Sequence, residues 1–360
     1  MENKEALPAI NWKNIVLPVL LGIGLSLYLI LSTVEPSKLF DLPVSGRFYA
    51  GLFLAFLTVV IRDSAYVYRI REITGQKLSW WKSFEVIMLW EFGSAVTPGA
   101  VGGIALALFI LKKEGISYGR STATIMLTTF LDNLAFVVVF TILFFTVGSQ
   151  MFYVPANCAD LKGNELLQSV SYVANKAWIG YAVLLGASLF LGTALFIVPH
   201  RAKSFFYRLA TIKLLSRFST SLNNTGNEIE LTATEFKSLS AIFYIKVFSA
   251  TVISWVARYL LANALIFAFS NLPLNQAAVL SRQYVIWVFI IIPSTPGASG
   301  IAEVFFQVFN CAFIPEGLGL SAKAAFIWRL YSYYLYLVIG AVVLPKWISR
   351  VNRGNNKLSS

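Results

Sequence analysis

Apolar residues occur in long runs along this chain, and short polar segments separate the runs. A run of about 20 apolar residues is long enough for a helix to cross the hydrocarbon core of a bilayer. The first run follows Lys4 and Lys13 and lacks the small-residue cleavage site of a signal peptide, so we interpret it as a spanning helix. The pattern predicts six spans, at about 15–33, 44–61, 121–148, 178–198, 239–270 and 323–345.

Two further apolar stretches, 84–111 and 284–313, are interrupted by segments rich in proline and glycine. The first break reads TPGAVGG over 97–103, and the second reads PSTPGASG over 293–300. The apolar flanks of each break have about 10–17 residues, which at roughly 1.5 Å per residue are too short for a ~30 Å hydrocarbon core. These stretches are therefore either kinked spans or re-entrant hairpins that enter and leave on one side of the membrane.

Loop charges distinguish these two alternatives, because cytoplasmic loops collect lysine and arginine. Two hairpins would give 20 Lys and Arg residues on the cytoplasmic side and 6 outside, whereas two spans would give 14 and 12. We therefore predict an all-α polytopic membrane protein with six spanning helices, two re-entrant helical hairpins and both termini in the cytoplasm. The cytoplasmic segments in this count include the loop 62–82, the basic loop 199–237 and the tail 346–360.

The two breaks also indicate an internal repeat. Alignment of Ile104 with Ile301 gives an offset of 197 residues and brings the two TPGA motifs within one residue of register. The halves 10–148 and 177–345, joined by the outer loop 149–176, then each contain two spans, a hairpin and one span. They are predicted to be inverted repeats, which are typical of transporters with a binding site near the centre of the membrane. Chance similarity of small-residue motifs is the alternative, since such breaks recur in membrane helices.

Five charged residues lie well inside apolar segments, where an unpaired charge would cost several kcal/mol. They are either candidate transport residues or ion pairs that lock the bundle. The repeat offset places Asp132 opposite Arg329, so we predict that these two side chains approach each other or face one cavity. The five residues are Glu91, Asp132, Arg258, Glu303 and Arg329.

The Pro-Gly breaks provide a second kind of candidate site. Each is followed by a half-helix whose free N–H groups and positive dipole end would face the centre of the membrane. Hydroxyl groups there can cap the helix or bind an anionic group such as a lipid phosphate, and the glycines allow close backbone approach or simply tight packing. Glu303 could offset the second helix dipole, bind a lipid amine or titrate. The candidates are Thr97, Pro98, Gly99, Gly102 and Gly103 in the first break and Thr295, Pro296, Gly297, Ser299 and Gly300 in the second.

Residues 201–218 have a different pattern, with one apolar helical stripe and five basic side chains around it. This pattern is typical of a helix that lies on the anionic inner leaflet. A linker helix packed on the bundle would show the same stripe. The stripe consists of Phe205, Leu209, Ile212, Leu215 and Phe218.

Composition limits the other function classes. The chain is 57% hydrophobic and 13% charged, whereas soluble domains have about 25% charged residues. Basic cytoplasmic loops account for the net charge of +12, so we predict no nucleic-acid partner. With one histidine and two cysteines, a His/Cys metal site is nearly excluded, and we predict no cofactor. The sequence leaves open whether Cys158 and Cys311 form a disulfide.

The sequence resembles one family, the lysylphosphatidylglycerol synthase transmembrane, or flippase-like, family. The resemblance rests on the two Pro-Gly breaks, the FLDN element around Asp132, the STPGASGIAE element that ends at Glu303, and the basic 199–237 loop. It covers about 10–350 and is most specific over 296–303. The first break departs from the family pattern, because it continues as GGIA without the charged residue that often follows in relatives.

The resemblance implies an inner-membrane protein related to the membrane half of the multiple peptide resistance factor, which moves aminoacylated phosphatidylglycerol between leaflets. Other members are linked to polyprenyl-lipid and envelope glycolipid pathways. No aminoacyl-transferase domain follows in the sequence up to Ser360, so we do not expect synthesis of lysyl-lipid. The implied lipid path runs along Glu91, 97–103, Asp132, 296–303 and Arg329.

Three functions are consistent with these observations. The first is a lipid flippase or transporter that passes a phospholipid or lipid-linked intermediate between the two hairpins, without catalysis. The second is an accessory subunit of an envelope-lipid pathway, and the third is a polyprenyl-phosphate-dependent transferase with Glu91, Asp132 or Glu303 as general base. One chain contains both halves of the predicted site, so a homodimer is permitted but not required.

Overall fold

The computed structural model describes residues 41–97, 100–154, 176–211, 219–290, 296–315 and 319–357, together with positions 24, 28, 31, 170, 172 and 174. The predicted span 15–33, apart from positions 24, 28 and 31, lies outside these residues. So do Pro98, Gly99, Thr295 and Cys158.

The regular structure of the described residues is entirely helical, which confirms the predicted all-α class. Serine side chains cap four of the helices: Ser45, Ser79, Ser117 and Ser240 each accept a hydrogen bond from a backbone N–H in the first turn. The helices are α1 (Gly46–Ile73), α2 (Trp80–Val96), α3 (Ala100–Lys113), α4 (Tyr118–Val147), α5 (Ala177–Gly192), α6 (Pro199–Thr211), α7 (Ser219–Ser238), α8 (Ala241–Phe269), α9 (Gln276–Ile290), α10 (Ile301–Asn310), α11 (Leu320–Arg329) and α12 (Leu335–Lys357).

Five helical segments in the described part of the chain are long and apolar enough to cross a membrane. They coincide with five of the six predicted spans, although most extend beyond the predicted limits. A π-helical turn, Leu330–Tyr334, joins α11 and α12 into one of these segments. The five segments are Gly46–Ile73, Tyr118–Phe152, Ala177–Ile197, Ala241–Phe269 and Leu320–Arg353.

The predicted span 44–61 ends too early. Helix α1 continues to Ile73, so Arg62 and Arg69 lie inside it and are buried rather than in a loop. A prediction from hydropathy ends a span at such charges. Here, acidic partners on other helices compensate for the burial of the two arginines. Two of the five basic residues assigned to the loop 62–82 therefore do not count as loop charges.

The basic segment 199–237 is also not a simple loop, because it contains α6 and α7. These helices pack together, and Lys203 Nζ lies 3.0 Å from Glu230 Oε2. Helix α7 contacts the start of α4, where the Gly119 N–H donates to Glu228. The part of the predicted amphipathic stripe in 212–218 lies outside the described residues, and Phe205 in α6 is 58% exposed.

Each predicted hairpin region forms two antiparallel helices. In the first pair, α2 and α3, Lys82 bonds to Glu114 near one end, and Gly103 approaches Ser94 near the break. In the second pair, α9 and α10, Arg282 donates to the carbonyl of Phe309. The second pair also brings Phe289 and Phe305 into a stacked contact close to the break.

The two helical pairs approach the continuous α11–α12 segment from opposite ends. The open end of the first pair lies at the end of α12, where Arg350 bonds to Glu85 and Glu114. The tip of the second pair contacts Arg329 at the end of α11, so its open end lies towards the start of α11. The two tips are therefore directed towards each other at the π-helical turn.

Helices α1 and α8 form the longest contact, in antiparallel orientation. Arg47 Nε donates to the carbonyl of Phe267 at one end, and Arg69 Nη1 donates to Thr251 at the other. Gly51 allows the close approach, because a Cβ atom at this position would lie 2.5 Å from the Cβ of Ala268.

We expect Gly51→Ala to lower thermal stability, because the added methyl group would also lie 2.7 Å from the Ala268 backbone. Overpacking of this kind costs about 1–3 kcal/mol. The matched control is Gly186→Ala in α5, where no described atom lies within 4 Å of the added Cβ. The control should keep or raise the unfolding midpoint in detergent, since alanine favours helix. Equal midpoints for the two variants would contradict the close packing.

Glu114 fastens the open end of the first pair to α12. Its buried carboxylate bonds to Lys82, Arg350 and the indole N–H of Trp347. Burial alone would raise the pKa of Glu114, but the hydrogen bonds from Arg350, Lys82 and Trp347 outweigh burial and lower the pKa.

Because this pKa is lowered, the stabilising contribution of Glu114 is present above the ordinary value of 4.5 and is lost as the pH falls below it. We expect Glu114→Gln to lower the unfolding midpoint at neutral pH, and the difference from wild type to shrink at acid pH. Glu235→Gln is the control, because Glu235 forms an exposed pair with Arg120 and should contribute little. A difference from wild type that stays constant with pH would contradict the assignment.

Candidate functional site

A cavity of about 450 Å³ lies among the helices where the two tips meet. This volume is within the range of about 300–1,000 Å³ that is usual for small-molecule sites. Charged and aromatic side chains form half of its lining residues. The charged residues are Arg69, Glu91, Asp132, Arg258 and Arg329, and the aromatic residues are Tyr66, Trp90, Trp255, Tyr259, Trp287, Trp328, Tyr333 and Tyr336.

Asp132 forms the first ion pair of the cavity. Helix α4 directs its carboxylate towards Arg69 of α1, which bonds to both carboxylate oxygens. The indole N–H of Trp255 donates to the same carboxylate at 2.7 Å. Arg69 is 4% exposed and Asp132 is 22% exposed, so the arginine lies behind the carboxylate and the carboxylate faces the cavity.

Glu91 forms the second ionic group, and it has two arginine partners. Its Oε2 lies 2.5 Å from Nη2 of Arg62, and its Oε1 accepts a 3.0 Å hydrogen bond from Arg258. Arg62 is also 3.7 Å from Asp63, whose carboxylate oxygens both accept from the Tyr336 hydroxyl at 3.0 Å. Two positive and two negative charges therefore balance within this group.

Glu303 and Arg329 form the third ion pair and hold the second tip in place. Glu303 accepts from the Gly300 N–H at 2.8 Å, so it compensates the start of α10, and it also accepts from Arg329 Nε at 3.1 Å. Arg329 Nη2 donates to the carbonyl of Gly297 at 2.7 Å and to the hydroxyl of Ser299 at 3.2 Å. Among the roles considered for Glu303, these contacts favour compensation of the helix dipole.

Tyr333 joins the two tips. Its hydroxyl donates to the carbonyl of Ala95 near the end of α2. Its ring packs on Gly297, where an added Cβ would lie 2.1 Å from a ring carbon. Gly297 has a φ of +58°, which strongly favours glycine. Tyr333 lies in the π-helical turn, a distortion that occurs frequently at functional sites.

The candidates of the first break have packing roles in this structure. The hydroxyl of Thr97 donates to the carbonyl of Gly93 and so terminates α2. Added Cβ atoms would lie 2.1 Å from Thr97 at Gly102 and 1.9 Å from the Ser94 hydroxyl at Gly103. These glycines therefore allow α2 and α3 to approach closely. In the second break, Pro296 begins the short 3₁₀ turn Pro296–Ala298.

The structure shows one of the two relations predicted for Asp132 and Arg329, namely that they face one cavity. The two side chains line the same cavity, but they do not pair, because Asp132 bonds to Arg69 and Arg329 bonds to Glu303. Sequence reasoning missed Arg62, Asp63 and Arg69, since it ended the span at residue 61. The spacing of Arg62, Tyr66 and Arg69 places them on one helical face, and this signal was available in the sequence.

Within the described ranges, no three His, Cys, Asp or Glu residues lie close enough together to hold a metal ion. Cys311, near the outer end predicted for the second pair, is disulfide-bonded.

Comparisons with known proteins identify the family. The family described as "Lysylphosphatidylglycerol synthase TM region" matches residues 15–340, which is most of the chain. The chain belongs to this family. The resemblance that was seen in its sequence motifs is therefore confirmed, and the protein is a multi-pass membrane protein.

One relative supports this membership. A UPF0104 membrane protein from Archaeoglobus fulgidus is 22% identical over 299 residues, which cover 81% of this chain and 84% of the relative. No solved structure matches the chain.

We expect Asp132→Asn to destabilise this family member, because it leaves the buried Arg69 without its carboxylate, and breaking a buried pair costs about 3–5 kcal/mol. Arg69→Met with Asp132→Asn should regain part of this loss. Arg329→Met with Asp132→Asn is the control and should be additive, since these residues share no ion pair. Unfolding midpoints in detergent measure the two combinations and the three single variants Asp132→Asn, Arg69→Met and Arg329→Met. A non-additive effect when Asp132→Asn is combined with Arg329→Met, but not when it is combined with Arg69→Met, would contradict the observed pairing.

Proposed function

We propose that the protein is a lipid transporter that moves a phospholipid or lipid-linked intermediate between the leaflets of the inner membrane. The headgroup occupies the cavity, and the acyl or prenyl chains stay in the bilayer. The observation that carries this proposal is the charged cavity at the meeting point of two opposed helical pairs. Such a site near the centre of the membrane is typical of transporters built from inverted repeats.

Two features support the inverted-repeat interpretation. Helices α1 and α8, which occupy corresponding places in the two proposed halves, pack against each other in antiparallel orientation. The two helical pairs approach α11–α12 from opposite ends. We propose that both pairs are re-entrant, that both termini are cytoplasmic, and that transport involves movement of one half against the other.

The charge balance of the cavity supports binding of a polar headgroup rather than only locking of the bundle. The carboxylates of Glu91 and Asp132 and the guanidinium of Arg258 are each 20–28% exposed, although each has an ionic partner. A fully enclosed ion pair can meet a ligand only if it first breaks, which costs several kcal/mol. Partly exposed charges can exchange partners with a ligand.

The position of helix α6 supports the proposed contact of residues 201–218 with anionic lipids of the inner leaflet. It begins two residues after a candidate span ends at Ile197, and its Phe205 and Arg201 side chains are exposed. An amphipathic basic helix in this place would lie at the membrane surface.

Leaflet exchange in proteoliposomes tests the proposal. The vesicles contain phosphatidylglycerol or phosphatidylethanolamine with a fluorescent label on an acyl chain. A membrane-impermeant quencher first removes the fluorescence of the outer leaflet. If the protein exchanges lipid, the fluorescence of the inner leaflet should then also fall, at a rate that depends on the protein. Asp132→Ala, Glu303→Gln and Arg329→Ala should slow the exchange, because they disrupt the cavity or its second tip. Glu235→Gln, in the exposed pair with Arg120, is the matched control.

Exchange by the wild type at the rate of protein-free vesicles, for both lipids, would contradict the proposed function. Wild-type rates for all three cavity variants, with normal insertion, would contradict the site assignment. Mass spectrometry of the lipids that the purified protein retains identifies further lipids, which can then be labelled and tested in the same assay.

A further inference from the structure

Two arginines from different helices converge on one carboxylate in the cavity. Arg62 of α1 and Arg258 of α8 both bond to Glu91 of α2, at 2.5 Å and 3.0 Å. The arginines face each other across the antiparallel α1–α8 contact, and they are 196 residues apart, within one residue of the offset between the two breaks. Positions that differ by one residue in the repeat alignment therefore supply one positive charge from each proposed half.

The two arginines have unused hydrogen-bonding capacity. The Nε atoms of Arg62 and Arg258 are buried, and neither has a hydrogen-bond partner among the described residues. A carboxylate has two acceptor oxygens, and Glu91 uses one for each arginine. A phosphate group offers more acceptor oxygens, and arginine binds such groups through two parallel N–H donors.

The three charges belong to different parts of the molecule. Arg62 and Arg258 lie on α1 and α8, which pack together along their length. We call this helix pair the frame. Glu91 lies on α2, in the first helical pair, which ends at a tip held by the hydroxyl of Tyr333. Movement of this pair away from the frame would withdraw Glu91 and leave two arginines facing the cavity, with Asp63 as the neighbouring acid.

From these observations we infer that Arg62 and Arg258 form a binding site for the phosphate of an anionic headgroup, and that Glu91 occupies this site as an internal substitute for the ligand. This inference rests on the proposed function and specifies which part of the cavity binds the phosphate. Exchange between Glu91 and the phosphate keeps the two arginines paired throughout, so neither arginine is left without an anionic partner.

Glu91→Gln tests the inference in a binding measurement. The amide keeps the shape of the side chain and removes the competing charge, so the affinity for a phosphate-bearing headgroup should rise on the order of tenfold. The probes are short-chain dihexanoylphosphatidylglycerol, dihexanoylglycerol without phosphate, and inorganic phosphate. Four tryptophans line the cavity, so tryptophan fluorescence of the detergent-purified protein reports binding: Trp90, Trp255, Trp287 and Trp328.

Glu235→Gln is the matched control, because it makes the same change of charge at an exposed ion pair outside the cavity. If Glu91 competes at the site, Glu235→Gln should not raise the affinity as Glu91→Gln does. Addition of Arg258→Gln to Glu91→Gln should abolish the gain, since one of the two binding arginines is removed. An equal gain in the Glu235 and Glu91 variants would overturn the inference, as would unchanged or weaker binding by Glu91→Gln.

The probes separate the sources of the phosphate. A gain for phosphatidylglycerol, with none for dihexanoylglycerol or inorganic phosphate, supports a lipid headgroup. An equal gain for inorganic phosphate supports the phosphate site and assigns it to a soluble anion. A gain for dihexanoylglycerol overturns the inference, because that ligand has no phosphate.

If Glu91→Gln is unstable without its charge, Glu91→Asp is the second variant. Its side chain is one methylene shorter, so we expect it to hold the two arginines less well and to bind phosphatidylglycerol more tightly than the wild type. The failure of this inference can be distinguished from the failure of the proposed function. Tighter binding by Glu91→Gln in a protein that does not exchange lipid would overturn only the proposed transport function. Lipid exchange by the wild type together with unchanged binding by Glu91→Gln would overturn only the role of Glu91.

Discussion

The structure depends on one electrostatic constraint: charges inside an apolar helical bundle must be paired. An isolated ion loses most of its hydration there, and several kcal/mol of stability with it. In the described part of the bundle, ionic groups that connect separate helices satisfy this constraint. Arg69 and Asp132 join α1 to α4, Glu91 joins α2 to α1 and α8, and Glu303 with Arg329 joins α10 to α11. Each group therefore fixes the relative position of the elements around the cavity.

Close backbone packing is the second requirement of this arrangement. The two tips meet only because Gly297 accepts the ring of Tyr333 without a side chain of its own, and α1 and α8 approach closely at Gly51. Close packing brings the ionic groups to hydrogen-bonding distance, and the ionic groups hold the packed elements in register. Arg329, directly before the π-helical turn, reaches the second tip, while Tyr333 within this turn reaches the first.

Much of this architecture could be predicted from the sequence, because long apolar runs and Pro-Gly breaks are local signals. The helical class, the breaks after Val96 and before Ile301, and the presence of Glu91, Asp132 and Arg329 as charges inside the bundle follow from them. The pairing could not be predicted, since it depends on which helices are neighbours. Hydropathy also treats Arg62 and Arg69 as the end of a span, and only acidic partners on other helices make their burial possible.

The same constraint explains how a stable bundle can contain a site for a polar ligand. If every charge were enclosed with a single partner, exchange with a ligand would first require a costly separation of ions. Glu91 is shared between two arginines and partly exposed, so the arginines can change partner stepwise, and one bond can break while the other persists. In the proposed exchange, a ligand with an equivalent negative charge takes the place of Glu91 and keeps both arginines paired. The balance of charges that stabilises the fold would then also allow the cavity to bind a charged group reversibly.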